Sequence, residues 1–148
     1  MYGNYGRNVK AYQKSEIETA DRGKLLLLVY DHCIKWCHKA SEAMVSGDIE
    51  QRTKAIFKVQ DGITELICAL DFEKGGEIAK NLHGLYDFYN RHLAEANLKN
   101  LEKNVEQVRE MLESLRGAWV DAIQKVRVEE SSSNRLANRH SSYVSLLG

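Results

Sequence analysis

Apolar residues recur along most of this chain at alternating steps of three and four residues. This spacing places side chains on one face of an α-helix, so the pattern predicts four amphipathic helices. Glycine or asparagine positions separate the four stripes, and the fourth stripe is the most regular. In chain order the stripes are Leu26, Tyr30, Cys33, Cys37, Ala40 and Met44; Ile49, Ile56, Val59, Ile63, Leu66 and Leu70; Ile78, Leu82, Leu85, Tyr89, Leu93 and Ala96; and Leu101, Val105, Val108, Leu112, Leu115, Trp119, Ala122 and Val126.

The residues between the stripes carry signals for helix ends. Gly47 suits the position just past a helix end. Asp48 suits an N-cap, with Gln51 as its reciprocal partner three residues later. The glycine pair at 75–76 predicts the turn into the third helix, and Asn100 is predicted to cap the start of the fourth.

Short connections between amphipathic helices favour antiparallel neighbours. The sequence therefore predicts an all-α fold, an antiparallel up-down four-helix bundle over residues 19–129. Residues 1–18 are rich in glycine and polar side chains, and we expect them to form a mobile N-terminal arm. Residues 130–148 begin beside a run of serines and are expected to form a flexible C-terminal tail. Proline breaks or kinks a helix, and the chain contains none that could interrupt the predicted helices.

Composition argues against several function classes. Lysine plus arginine and aspartate plus glutamate both number 21, giving a formal net charge of zero, whereas a nucleic-acid-binding protein usually carries a basic surplus. The longest apolar run, residues 25–30, is far shorter than the ~20 residues of a membrane-spanning helix, so we expect no membrane insertion. Three cysteines and a polar N-terminus without the apolar stretch of a secretion signal favour free thiols and a cytoplasmic location.

The sequence carries no pattern typical of catalysis. It lacks the Glu-x-x-His pairs of di-iron bundles, a Gly-x-Ser-x-Gly elbow and a phosphate-binding loop, so we predict neither an enzyme nor a cofactor or metal site. Cys33 and Cys37 lie one helical turn apart and could supply half of a zinc site. Both also lie on the first apolar stripe, and we therefore interpret them as core residues.

Apolar residues exceed what one helical core can hold. Relative to the core direction set by Leu26, Leu27 and Leu28 point about 100° and 160° away, at 3.6 residues per turn. Ile34 lies near Leu27 on the same flank, and Phe57 departs from its own stripe by about 100°. Two interpretations stay open. The arm, tail, loops or self-association cover these side chains, or they form an apolar groove for an amphipathic helix of a partner.

Several strings of residues add a more specific signal, because they occur in a fixed order and at fixed spacing. Together they cover roughly residues 11–124. The strings are Ala11-Tyr12, Glu18-Thr19-Ala20, Leu25 to Asp31, Ala69 to Leu82, Leu85 to Asn97, and Leu115 to Trp119.

In this order the strings resemble the flagellar export chaperones that bind flagellin. One departure is Asp21-Arg22, where that family commonly has a Thr/Ser-Pro helix start, but Asp21 can still cap a helix. The resemblance implies a cytoplasmic chaperone that binds the unfolded C-terminal segment of flagellin, prevents premature polymerisation and delivers the client to the flagellar secretion apparatus. It also implies an arm that covers part of the binding surface until the client displaces it, with Tyr12 matching the family's arm tyrosine.

Within this interpretation, helical geometry predicts that Leu27, Leu28 and Ile34 line the flagellin-binding groove. The alternative is a helical scaffold or oligomerisation module with no unfolded client. In that alternative the exposed apolar surface serves self-association.

Overall fold

The protein was analysed as a computed structural model, which describes the backbone of residues 3–147 and the side chains of residues 22–138. Over this range the chain forms four helices and no β-strand, which confirms the predicted all-α class. The helices are α1 (Gly3–Ser46), α2 (Ile49–Cys68), α3 (Phe72–Lys99) and α4 (Glu102–Leu147).

Contacts divide the chain into two units. The first is Leu25–Arg116, which holds the C-terminal part of α1, all of α2 and α3, and the beginning of α4. The second pairs the part of α1 up to Lys24 with the part of α4 from Gly117 onward. Within this second unit, a Cβ added at Gly23 would stand 3.0 Å from Ile123 Cδ1, so the missing side chain lets the two helices approach closely.

The expected arm and tail do not coincide with breaks in the helices. α1 begins at Gly3, and α4 continues through the serine run at 131–133. Residues 118–147 contain neither glycine nor proline, and serine is only mildly unfavourable in a helix, so nothing there ends α4. The domain boundaries at 18/19 and 129/130 stay predictions.

The Leu25–Arg116 unit buries most of the predicted stripes in one apolar core, which confirms the helical period. The buried stripe members in this unit are Tyr30, Cys33, Cys37, Ala40, Met44, Ile56, Val59, Ile63, Leu66, Leu82, Tyr89, Leu93, Ala96, Val105, Val108 and Leu112.

Three stripe members in the same unit are exposed instead of buried. Ile49 is the first residue of α2, and Ile78 lies two residues beyond a break in α3. Leu85 is 41% exposed, whereas its neighbour Tyr86 is 1% exposed and occupies the core. At 100° per residue Leu85 lies about 70° from the centre of the buried face of α3, whereas Tyr86 lies about 30° from it.

Helices α1 and α4 run antiparallel within this unit. Ser41 donates a hydrogen bond to Glu106 Oε1 at 2.8 Å, and Arg116 Nε donates to Asp31 Oδ1 at 2.6 Å. Residue numbers therefore fall along α1 as they rise along α4.

Helices α2 and α3 also run antiparallel. Thr53 donates to Asn97 Oδ1 at 3.2 Å near one end, and Gln60 donates to the carbonyl of Asn90 at 3.1 Å further along. Tyr30 of α1 and Tyr86 of α3 share a buried hydroxyl–hydroxyl hydrogen bond across the core.

The predicted end of α1 and start of α2 are confirmed. Gly47 has φ 75°, in the left-handed region that favours glycine, and Asp48 accepts a hydrogen bond from the backbone N–H of Gln51 at 3.1 Å.

Of the two predictions that concern the ends of α3, the break at the glycine pair is confirmed at Gly76 but does not mark the start of the helix, and the prediction for Asn100 was wrong. The turn between α2 and α3 lies at 69–71, where the side chain of Asp71 caps α3, and Gly76 instead forms a kink four residues inside that helix with φ 50°. Asn100 has φ 55° and ψ 52° and ends α3, because its N–H bonds to the carbonyl of Ala96. It therefore does not cap α4, which begins at Glu102.

Candidate client-binding groove

An open cleft of about 560 Å³ lies between α1 and α2 in the Leu25–Arg116 unit. Two of the leucines that line it, Leu25 and Leu28, are 61% and 62% exposed, so their apolar surface is available to a partner. The cleft is lined by Leu25, Leu28, Val29 and His32 from α1 and by Lys58, Asp61, Gly62 and Glu65 from α2.

Close approach of the two helices forms the base of this cleft. Gly62 is buried, and a Cβ there would stand 2.5 Å from Cys33 Sγ and 3.0 Å from His32 Cδ2. His32 Nε2 also forms a 2.9 Å hydrogen bond with the carbonyl of Lys58. The small residue at 62 thus allows α1 to lie directly against α2, and the side chain of His32 bonds to the backbone of α2.

A second cleft of about 690 Å³ follows the outer face of α2. Its largest apolar side chains are Ile49 and Phe57, which are 64% and 55% exposed. Lys58 and Asp61 line both clefts, so the two adjoin. We refer to the combined surface as the α1–α2 groove, with the apolar members Leu25, Leu28, Ile49 and Phe57.

The structure brings one of the predicted groove residues, Leu28, into this groove. Leu27 and Ile34 are partly exposed but do not line either cleft. By helical geometry they lie on the flank of α1 that carries Asp31 and Ser41, whose side chains bond to α4. The side chain of Tyr12 lies outside the described residues.

The sequence indicated the exposure of some groove residues and not of others. Phe57 was recognised from the sequence as standing off the core face, and it lines the groove. Leu25 belongs to the apolar run at 25–30, whose surplus hydrophobicity was the available signal. The helical period of α2 predicts a buried Ile49, but Ile49 is the first residue of that helix and is exposed.

One side of the groove carries a cluster of three lysines around a tryptophan. The Lys39 ammonium lies 4.8 Å from the centroid of the Trp36 ring, and those of Lys35 and Lys58 lie 5.8 and 6.0 Å away. These distances are within the range of cation–π attraction. The ring of His32 is 6.3 Å from that of Trp36, so the cluster adjoins the cleft.

The buried cysteines belong to the core, as interpreted from the sequence. Cys33 and Cys37 have no exposed surface, and the Cys33 thiol points to the carbonyl of Val59 at 3.8 Å. Burial raises the pKa of Cys33 to about 12, with a further contribution from the charge of Glu65, and burial also raises the pKa of Cys37. Among the side chains that the structure describes, no three histidine, cysteine, aspartate or glutamate residues gather as metal ligands would.

Within the described residues, none of the helices is both long enough and apolar enough to cross a membrane. The two long helices, α1 and α4, carry charged residues throughout.

Comparison with known proteins identifies the family of this chain. The sequence matches the family model "Flagellar protein FliS" over residues 5–126. The chain belongs to the FliS family. The match spans most of the four helices and confirms the resemblance to flagellar export chaperones.

Relatives in two bacteria carry the same functional name. The chain is 32% identical over 127 residues to the flagellar secretion chaperone FliS of Bacillus subtilis, covering 86% of this chain and 94% of the relative. It is 33% identical over 128 residues to the flagellar secretion chaperone FliS of Salmonella typhimurium, covering 83% and 95%. Members of the family are thus named as chaperones and not as enzymes.

A solved structure agrees in fold. A crystal structure of a flagellar chaperone from bacteria superposes with a TM-score of 0.69, at 18% sequence identity, and covers 80% of this chain and 97% of that one. At this identity the likeness shows the helical fold alone.

Proposed function

We propose that this protein is a cytoplasmic chaperone that binds the unfolded C-terminal segment of flagellin. Binding keeps the segment from polymerising prematurely and delivers it to the flagellar secretion apparatus. The observation that carries the proposal is the α1–α2 groove, where Leu25, Leu28, Ile49 and Phe57 are each more than half exposed. The secretion-chaperone names of the relatives support the class of client.

The groove suits an amphipathic segment that folds as it binds. Two packed antiparallel helices present an elongated surface into which the apolar face of a third helix can lie. Covering the exposed part of four large apolar side chains contributes on the order of 4–6 kcal/mol in gross terms. The cost of ordering the client offsets much of this gain, so a surface of this size favours a releasable complex.

The proposed client surface also includes the other predicted residues. Leu28 acts in the groove, and Leu27 and Ile34 contact a further stretch of client on the neighbouring flank of α1. Tyr12 lies in the segment that the client displaces. This part of the proposal rests on helical geometry and on the family resemblance.

Titration calorimetry with a peptide covering the C-terminal segment of flagellin from the same organism tests the proposal. We expect a one-to-one complex with a negative heat-capacity change, because apolar surface is buried as the peptide folds. Leu28→Glu should weaken binding about tenfold or more, since it places a charge in the apolar contact. Leu98→Glu is the matched control, because Leu98 is 84% exposed and lines neither cleft.

Three outcomes would contradict the proposal. Absence of heat at several temperatures, with the protein folded, would favour the helical scaffold, and light scattering would then reveal a stable homo-oligomer. Loss of cooperative unfolding in Leu28→Glu would show that Leu28 belongs to the core. An equal effect of Leu28→Glu and Leu98→Glu would place the binding surface elsewhere.

A further inference from the structure

The face of α1 that borders α2 continues beyond the described cleft. Leu25, Leu28, Val29 and His32 line the cleft, at the spacing of three and four residues that marks one side of a helix. At 100° per residue, Trp36 lies about 30° from the mean direction of these four residues. Trp36 is therefore the next large side chain on the same face, one turn beyond His32.

Contacts from both helices place the Trp36 ring at the end of this cleft. The ring centroid lies 6.3 Å from that of His32, and the Lys58 ammonium of α2 lies 6.0 Å from the same centroid. His32 and Lys58 both line the cleft. Trp36 is partly exposed, so a partner that occupies the cleft can also cover part of the ring.

The surroundings of the ring favour an apolar group of the partner. Lys35 and Lys39 stand beside the ring together with Lys58, and lysine side chains extend apolar stems along such a surface while their ammonium groups stay in water. Exposed cation–π contacts are individually weak, so a client side chain displaces them at little cost. Tryptophan loses little conformational freedom when a partner covers it, which makes it an effective anchor in interfaces.

We propose, building on the function proposed above, that Trp36 is an anchor residue of the client site and receives an apolar side chain of flagellin. The α1 face from Leu25 to Trp36 then selects the class of client segment. It spans 11 residues, or about 16 Å at 1.5 Å per residue. A matching client is an amphipathic helix of at least three turns with large apolar residues along one face.

The distance between Leu28 and Trp36 sets the spacing of the client's contact residues. The two residues are eight positions apart in α1, which corresponds to about 12 Å along the helix axis. In a helical client that lies along α1, the residues that contact them are about seven or eight positions apart. Acidic and basic side chains both border the groove, so this spacing is expected for either direction of the client.

Substitution of Trp36 tests the anchor with the flagellin C-terminal peptide. Trp36→Ala should weaken binding about ten- to thirtyfold, whereas Trp36→Phe, which keeps an apolar ring, should weaken it less than about threefold. Phe88→Ala is the matched control and should bind like the wild-type protein. Phe88 is 37% exposed, and its ring contacts Tyr89 and His92 of its own helix, α3. Circular dichroism and urea unfolding check that each variant keeps its fold.

Fluorescence reports on the ring directly. Trp36 and Trp119 are the two tryptophans of the chain, so a Trp119→Phe variant leaves Trp36 as the source of tryptophan emission. Saturating peptide should shift this emission to shorter wavelength and protect it from quenching by acrylamide, because the client excludes water from the ring. A purely structural role of Trp36 would leave both readouts unchanged when the peptide binds, and that result would overturn the proposal.

Double-mutant cycles measure the spacing of the contacts. Alanine is placed at each large apolar position of the peptide in turn, and each peptide is titrated against Leu28→Ala and Trp36→Ala. The peptide residues that couple to Leu28 and to Trp36 by about threefold or more should be about seven or eight positions apart. A separation of about four positions would indicate an extended client, since a strand advances about 3.3 Å per residue, and would overturn the helical class.

Failure of this inference is distinguishable from failure of the proposed function. Unchanged affinity in Trp36→Ala, with Leu28→Glu still weakening binding, would overturn the anchor and leave the chaperone function standing. An equal loss of affinity in Trp36→Ala and Phe88→Ala would also overturn it. If the peptide did not bind the wild-type protein, the proposed function would fail and this inference with it. The fluorescence measurement decides the matter even if Trp36→Ala does not fold, because it needs no substitution at position 36.

Discussion

Gly62 offers a sharp test of how closely α1 and α2 pack. A Cβ at this position would stand 2.5 Å from Cys33 Sγ, a distance that real Cβ atoms essentially never show, and 3.0 Å from His32 Cδ2. Cys33 has no exposed surface, so its sulfur has little room to move away. Gly62→Ala should therefore force the two helices apart or strain the core.

Two opposing effects set the magnitude of this substitution. Alanine in place of glycine inside a helix stabilises by about 1 kcal/mol, because it restricts the unfolded chain. Overpacking by one methyl group in a filled core costs about 1–3 kcal/mol. The expected result for Gly62→Ala is a net loss of up to about 2 kcal/mol in the free energy of unfolding.

The matched control is Gly84→Ala. Gly84 lies inside α3, is exposed, and has no atom within 4 Å of an added Cβ. This variant should gain the full helix-propensity effect of about 1 kcal/mol. The difference between the two variants therefore isolates the packing cost, about 1–3 kcal/mol.

Urea denaturation followed by far-ultraviolet circular dichroism measures both variants. Adding Cys33→Ala to Gly62→Ala removes the clashing sulfur, so the double variant should recover about 1 kcal/mol relative to the sum of the single effects. If Gly62→Ala stabilised the protein as much as Gly84→Ala does, α1 and α2 would be further apart than described. The base of the groove would then need a different geometry.

Two further predictions follow from the protein's titratable groups. In the folded protein only the thiol of Cys68 should react rapidly with an aromatic disulfide, because Cys33 and Cys37 are buried and their pKa values are raised. All three thiols should react after denaturation. Fast reaction of three thiols in the folded protein would contradict the buried core. Hydrogen bonding from Arg109 holds the pKa of Glu106 below its ordinary value of 4.5. The Glu106 carboxylate therefore contributes to stability above pH 4.5, and this contribution is lost as the pH falls through the pKa that Glu106 has in the folded protein. Glu106→Gln should therefore flatten the acid side of the stability profile measured by urea unfolding at a series of pH values, and an unchanged profile would show that this carboxylate is not linked to folding.

Local sequence determined the type of each element and most of the core. Hydrophobic period depends only on neighbours along the chain, so Tyr30, Ile63 and Val108 could be placed in the core without knowing the fold. The end of α1 followed from Gly47 for a similar reason, since a left-handed residue there is a local requirement. The family resemblance rested likewise on strings read directly from the chain.

Spacing along the chain could not decide between two neighbouring core candidates, or between two helices that one residue could cap. Leu85 and Tyr86 each fit the period of α3, and Tyr86 is buried because its hydroxyl meets that of Tyr30 on α1. Asn100 could cap either adjoining helix, and its left-handed conformation assigns it to the end of α3. In both cases the deciding contact or conformation involves the path of the chain in space.

The groove itself was decided only by tertiary structure. The sequence indicated that Leu27, Leu28 and Ile34 lie off the core face, but it could not indicate which helix borders each flank of α1. Packing places α2 beside Leu28, whereas side chains of α4 bond to the flank of α1 that carries Leu27 and Ile34. Lys58 joins Lys35 and Lys39 around Trp36 for the same reason, because residues distant in the chain become neighbours only when Gly62 lets α1 and α2 pack together.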